Sequence, residues 1–397
     1  MNTGRYRQRV SQIQTALTSR GLAASIIIKP EHVRYVSGFW GYSTRPEYLG
    51  PRRLTAVVLP AKGEATLIVP KVEREWAQRR TWFSDVRHHV EWSQPNEIFG
   101  GMALLEGVLI EKGLKRGRVG LELGFISARL FKQFCDTFES ITFEDVSAVV
   151  EEMRMIKSPE EIEILRTGGR MAVLEYLAEV NAIKAGAREF EVAIRGRDEA
   201  TRLFAELIKD SDDSVPTDHP ILDGSQIITS GPRLGMAHAV ASTRTIQKGD
   251  MVLLDFCRIP QAEGYRIGFA RNVALRQPTS DEATVYATVR EAYKQAVALL
   301  RPGVLAEEPD LIARSILDEG GLGETQMHRT GRGQGLEGME RPEICVGDKT
   351  PLQEGMVFTI EPSSYAQGFA AHVEDTYLIT REGCECLTEA PRDLNIL

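Results

Sequence analysis

Three carboxylates stand on short apolar runs in the C-terminal part of the chain: Asp255 in MVLLDF, Glu361 in MVFTIEP and Glu374 in HVEDTYLIT. An acid on an otherwise apolar strand is costly to bury unless a cation or hydrogen bonds offset it. Three such acids on separate segments point to a site. His238, beyond the Ser230-Gly231 turn, adds an imidazole. Such a ring titrates near neutrality, so it can take a proton from water and return it to a leaving nitrogen. A hydrogen-bonded structural histidine is the other reading of it. The loop 41–53, GYSTRPEYLGPRR, carries Arg45, Arg52 and Arg53. Arginine forks suit bidentate capture of a carboxylate, although a solvated surface loop explains the same residues, since arginine is usually exposed.

These groups need elements to hold them. The apolar run 252–254 follows the charged turn 247–250 and reads as a buried strand. Residues 260–264 form a turn, and 265–275 a returning strand, so Asp255 ends the first arm of a hairpin. Segments 356–362 and 372–380 read as two further short strands, each with one carboxylate. Ser158, Pro159 and Glu161 spell a helix start with a capping box. Helices are also expected over 189–208, 283–300 and 308–317. In the N-terminal part, 5–20 is an amphipathic helix with Val10, Ile13 and Leu17 at helical spacing. Strands at 22–28, 56–59, 65–69 and 119–121, an element starting at 31 and a helix at 105–112 imply a small α/β domain.

Bulk properties narrow the function classes. A chain of 397 residues has room for two or three domains. Its net charge of −8 argues against a general binder of nucleic acid or anionic membrane. No run approaches a spanning helix, and the first 17 residues lack a signal-peptide core. The five cysteines form no framework and no CxxC pair, which fits a reduced, cytoplasmic setting. The glycine-rich run 331–338 lacks the Gly-Lys-Ser/Thr ending of a phosphate loop and reads as a tight turn lining the site. The acidic loop 209–219 reads as an exposed connection.

The blocks SGPRLGMAH, KGDMVLLDF, GYRIGFAR, TGRGQGLEGMERPEI, LQEGMVFTIEP and VEDTYLIT resemble, in order and spacing, the pita-bread superfamily of creatinase, Xaa-Pro aminopeptidase and methionine aminopeptidase. The resemblance covers roughly the last 240 residues. It implies an α+β pita-bread catalytic domain over 153–397, preceded by a smaller α/β domain of the creatinase/prolidase type over 1–152. The metallopeptidases of this superfamily hold two divalent metals with two Asp, one His and two Glu. Asp255, Glu361 and Glu374 match three of those positions. Gly268 stands where the second Asp is expected, and Arg332 where the His is expected. Met339 replaces a further His that usually precedes the motif's acid and proline.

A glycine has no ligand atom, and a guanidinium is a donor only and always charged. These departures therefore lead to the expectation of no cofactor and no paired metal. Three carboxylates against Arg332 leave a formal charge of −2, part of which a cationic substrate group could supply; alternatively Arg332 bridges two acids in an inert fold. The reading that follows is a metal-independent, creatinase-like or ectoine-hydrolase-like enzyme. It would cleave a non-peptide C–N bond in a small amidino, cyclic amidine or amide compound bearing a carboxylate. His238 and Glu361 would be catalytic. Arg52, Arg53, Asp255, Arg332 and Glu374 would bind substrate, in a homodimer of the kind that resemblance implies. A metal-dependent Xaa-Pro dipeptidase or aminopeptidase and a non-catalytic pita-bread binding protein remain as alternatives.

Overall fold

The computed structural model describes residues 4–45, 48–207, 226–256, 261–366 and 368–397. It divides into two compact units, with the change between Met153 and Arg154 inside the helix Ser147–Met155, so that Arg154 belongs to the second unit.

The N-terminal unit runs α1 (Gly4–Ser19), β1 (Ala24–Ile27), α2 (Pro30–Ser37), β2 (Ala56–Pro60), β3 (Thr66–Pro70), α3 (Arg74–Arg80), β4 (Asp85–His89), α4 (Gly101–Glu111), β5 (Gly117–Leu121), α5 (Ala128–Thr137), β6 (Ile141–Asp145) and α6 (Ser147–Met155). The element expected from residue 31 is the helix α2, opened by Pro30 in its first turn. The strands make one mixed six-stranded sheet in the order β4-β3-β2-β1-β5-β6. Its central strands are buried on both faces, so they read as continuous apolar runs rather than alternating ones.

The second unit opens with α7 (Pro159–Ala182) and α8 (Glu189–Leu207). The start signal in the sequence is realised in full: Ser158 accepts from the Glu161 backbone, and Glu161 accepts from the Ser158 backbone. Then come β7 (Ile227–Ser230), β8 (Met251–Asp255), β9 (Gln261–Ala262), β10 (Tyr265–Arg266) and β11 (Ala270–Ala274). The helices α9 (Ser280–Ala298) and α10 (Glu307–Glu319) follow. The chain ends with β12 (Gly331–Gly333), β13 (Glu340–Ile344), β14 (Val357–Ile360), β15 (Ser363–Ala366), β16 (Phe369–His372), β17 (Asp375–Ile379), β18 (Cys384–Cys386) and β19 (Asn395–Ile396). One sheet has the order β19-β11-β8-β7 and another β13-β12-β14-β17-β18. An isolated bridge joins them, with backbone bonds of 3.2 Å in both directions between Ala270 and Glu374.

The returning arm of the hairpin differs from the expectation. Instead of one strand over 265–275, Tyr265–Arg266 pairs back on Gln261–Ala262, and only Ala270–Ala274 pairs with Met251–Asp255. Between them the Gly268 backbone leaves the ladder and bonds the Thr376 hydroxyl. Part of the expected 260–264 turn and the whole acidic loop lie outside the described residues.

A buried ion network secures the start of β13. Glu340 is paired with Arg154 and with Lys157 at 3.0 Å, and Arg154 also reaches Glu337 at 2.7 Å. Burial alone would raise the Glu340 carboxyl, but the charges of Arg154 and Lys157 hold it at about 2. Its folded value thus lies below the ordinary 4.5, so it adds stability above that ordinary value. The contribution is lost as pH falls toward about 2. Glu340→Gln is expected to cost about 3–5 kcal/mol at neutral pH, the usual penalty for leaving buried charges unpaired. The gap between variant and parent in urea midpoints should narrow below about pH 4.5; a gap independent of pH contradicts this assignment.

Candidate active site

Each carboxylate sits where an apolar strand ends. In β8, Val252, Leu253 and Leu254 are wholly buried, each worth about 1.5–3 kcal/mol against exposure. Their burial carries Asp255 inward with them, at 4 % exposure. Val357–Ile360 delivers Glu361 in the same way, and Asp375–Ile379 fixes Glu374 just before it. Glu361 is 5 % exposed and Glu374 fully enclosed.

Glu374 is pinned from behind. The guanidinium of Arg271, itself enclosed, donates to the Glu374 carbonyl at 2.8 Å and to Asp375 at 2.8 and 3.0 Å. Arg392, Tyr293 and Thr388 complete the set around Asp375, at 2.8, 2.5 and 2.9 Å. Every lone pair of that carboxylate is therefore spoken for, and Glu374 is held on a rigid backbone.

Arg332 lies on β12, next to a bulge between Arg332 and Gly333, a feature that re-aims a side chain. Its guanidinium donates to the Gly338 carbonyl at 2.7 Å, to Glu361, and to Glu374 Oε1 at 3.3 Å. The expected bridge between two acids is present. At Gly268, a Cβ would fall on Glu374 Oε1 and within 2.5 Å of the Thr359 hydroxyl. That close approach leaves Glu374 the space a longer residue would take.

His372, to which sequence reasoning gave no role, belongs to the same cluster. One ligand atom each from Asp255, His372 and Glu374 lie within 4.8 Å of one another. His372 Nδ1 is 3.0 Å from the Tyr365 hydroxyl and 3.8 Å from Asp255 Oδ2. Its Nε2 and Glu374 Oε2 are buried without a hydrogen-bond partner. The signal was legible: in His372-Val373-Glu374, positions i and i+2 of an extended segment share a face. His328 packs beside them, 5.8 Å from the rings of Tyr365 and His372, with Nε2 2.9 Å from the Ser363 hydroxyl.

Burial, reinforced by the charges of Asp255 and Glu361, pushes the Glu374 carboxyl well above the usual range. Burial also pushes His372 well below its ordinary value, and the charges of His328, Arg332 and Arg271 push the same way. The ring is therefore neutral at physiological pH, the form that ligates metals. His238 is exposed and near enough for its charge to act on His372; the adjacent Ala237 packs on a cluster that includes Tyr365 and Ala270.

The remaining expected residues lie in the N-terminal unit. Arg53 pairs with Glu91 and stacks over Tyr48 at 4.7 Å. Arg52 is exposed, with its guanidinium 5.6 Å from the Phe99 ring.

Residues 163–381 match the profile of metallopeptidase family M24, and residues 9–156 that of the creatinase/prolidase N-terminal domain. An Xaa-Pro dipeptidase of Pyrococcus furiosus is 31 % identical over 389 residues, covering 98 % of this chain and 99 % of its own. The Xaa-Pro dipeptidase of Pyrococcus horikoshii is also 31 % identical, with 98 % of each chain covered. The crystal structure of the prolidase from Pyrococcus horikoshii OT3 superimposes with a TM-score of 0.80 at 28 % identity, covering 98 % and 99 %. That of dipeptidase PepE from Mycobacterium ulcerans gives 0.81 at 27 %, covering 100 % and 99 %.

These full-length relatives overturn the expectation of a creatinase-like, metal-independent hydrolase of a non-peptide C–N bond. Too much weight fell on the two substituted positions, Gly268 and Arg332. Asp255 and Glu374 remain among the possible ligands, and one ligand atom from each lies within 4.8 Å of one from His372. The N-terminal domain type does not discriminate either, since its name covers creatinase and prolidase alike.

Arg332→Met removes the charge between two enclosed acids and is expected to cost about 3–5 kcal/mol in urea unfolding at pH 7. An unchanged midpoint would mean that this guanidinium does not hold the acids.

Proposed function

Since this chain belongs to metallopeptidase family M24, we propose that it is a dipeptidase that cleaves the bond preceding a C-terminal proline. What carries the proposal is that the dipeptidase likeness runs the length of the chain while the three carboxylates at its centre remain together and enclosed.

The family's pair of metals does not fit these residues. Gly268 supplies no ligand, a Cβ there would collide with Glu374, and the Arg332 guanidinium spans Glu361 and Glu374. No step of the reaction is routed through such a pair.

The chain's own groups suffice to describe binding and proton handling. Glu361, oriented by Arg332, is assigned to accept a proton from the attacking water. His238, exposed at the site, is assigned to protonate the departing proline nitrogen, which has no hydrogen of its own while in the amide. Arg332, fixed by the Gly338 carbonyl, directs positive charge toward the oxygen that gains negative charge during attack.

The purified protein, supplied in turn with manganese, cobalt and zinc, should hydrolyse Xaa-Pro dipeptides in preference to the same Xaa followed by alanine. Failure to cleave any Xaa-Pro dipeptide with any of these ions overturns the proposal. His238→Ala should lower kcat by about 10²–10⁴-fold, the usual contribution of a positioned acid–base. KM and thermal stability should change little, because the ring is exposed. Near-normal kcat would remove His238 from the reaction.

A further inference from the structure

We infer that the centre holds one divalent cation, on Asp255, His372 and Glu374, and that the guanidinium of Arg332 permanently occupies the place of a second. The inference extends the peptidase reading and rests on it for the ion's purpose, not for its position.

Four observations carry it. First, ligand atoms of the three residues converge within 4.8 Å, a spread that a cation with bonds of about 2.0–2.4 Å closes with small side-chain movements. Second, His372 Nε2 and Glu374 Oε2 are enclosed, have no hydrogen-bond partner, and face each other at 4.0 Å. Orphaned buried polar atoms of this kind are rare in folded proteins and call for an explanation. Third, Tyr365 holds the other ring nitrogen at 3.0 Å, as the outer partner of a metal-bound imidazole does. With Nδ1–H donating to the Tyr365 hydroxyl oxygen, Nε2 keeps its lone pair for the ion.

The fourth observation is charge. Asp255, Glu361 and Glu374 against Arg332 leave a formal −2, which one divalent ion neutralises. Two would leave an enclosed excess of +2, an arrangement a low-dielectric site penalises heavily. Arg332 is thus both the surrogate for one ion and the barrier to it. Imidazole with two carboxylates suits manganese, cobalt or zinc rather than calcium.

The direct test is manganese binding to the full-length protein stripped with chelator. Titration calorimetry and metal analysis should give one Mn²⁺ per chain. Electron paramagnetic resonance should show an isolated ion with modulation from a single imidazole nitrogen. His372→Gln should abolish the nitrogen modulation and weaken binding by more than about 10-fold. Tyr365→Phe, which keeps the ring, should weaken it by about 10–100-fold, as loss of an outer partner does. Two ions per chain, a spin-coupled pair, no binding, or one ion without nitrogen modulation would each overturn the inference. Dipeptide hydrolysis is scored separately. One ion bound in this way without cleavage of any Xaa-Pro dipeptide sinks the substrate reading alone. Cleavage by protein that binds two ions sinks the site alone.

Discussion

Three carboxylates enclosed in one small volume repel one another, and the architecture of the second unit answers that constraint. Asp255, Glu361 and Glu374 arrive from the ends of strands whose apolar residues force them inward. Arg332 relieves part of the repulsion by reaching Glu361 and Glu374 together. A planar fork fixed at its Nε by the Gly338 carbonyl does this with little loss of side-chain freedom, which a lysine ammonium could not match.

Behind the site, a second set of charges makes the first possible. Arg271 and Asp375 are enclosed and paired, and the same guanidinium grips the Glu374 carbonyl. The bridge between Ala270 and Glu374 ties the two sheets at that point. A small shift of either strand would therefore move Asp255 relative to Glu374. Asn272, whose amide accepts from the His372 backbone at 2.9 Å and donates to the Ala370 carbonyl at 3.0 Å, ties β16 to β11 as well.

Much of this was legible in the sequence, and the failures have physical causes. Acids at one end of an apolar run pointed to all three carboxylates, and the capping box at Ser158 located the start of α7. The family resemblance identified Gly268 and Arg332 as departures. The break in the returning strand was missed because no propensity rule anticipates a backbone that leaves its ladder to bond the hydroxyl of Thr376, more than a hundred residues away. His372 was missed although it shares a face with Glu374, because a lone histidine beside an apolar run argues for no specific chemical role. Its imidazole was therefore left out of the count of possible ligands. The metal-independent reading followed from the substitutions at Gly268 and Arg332, and full-length likeness to Xaa-Pro dipeptidases corrected it.

The central claim is that a fixed guanidinium and one cation together balance the enclosed acids. The most direct measurement is anomalous diffraction at the manganese edge from crystals grown with excess Mn²⁺. A single anomalous peak is expected, bounded by Asp255, His372 Nε2 and Glu374, with Arg332 still against Glu361. A second peak beside Glu361, with Arg332 displaced from it, would contradict the account.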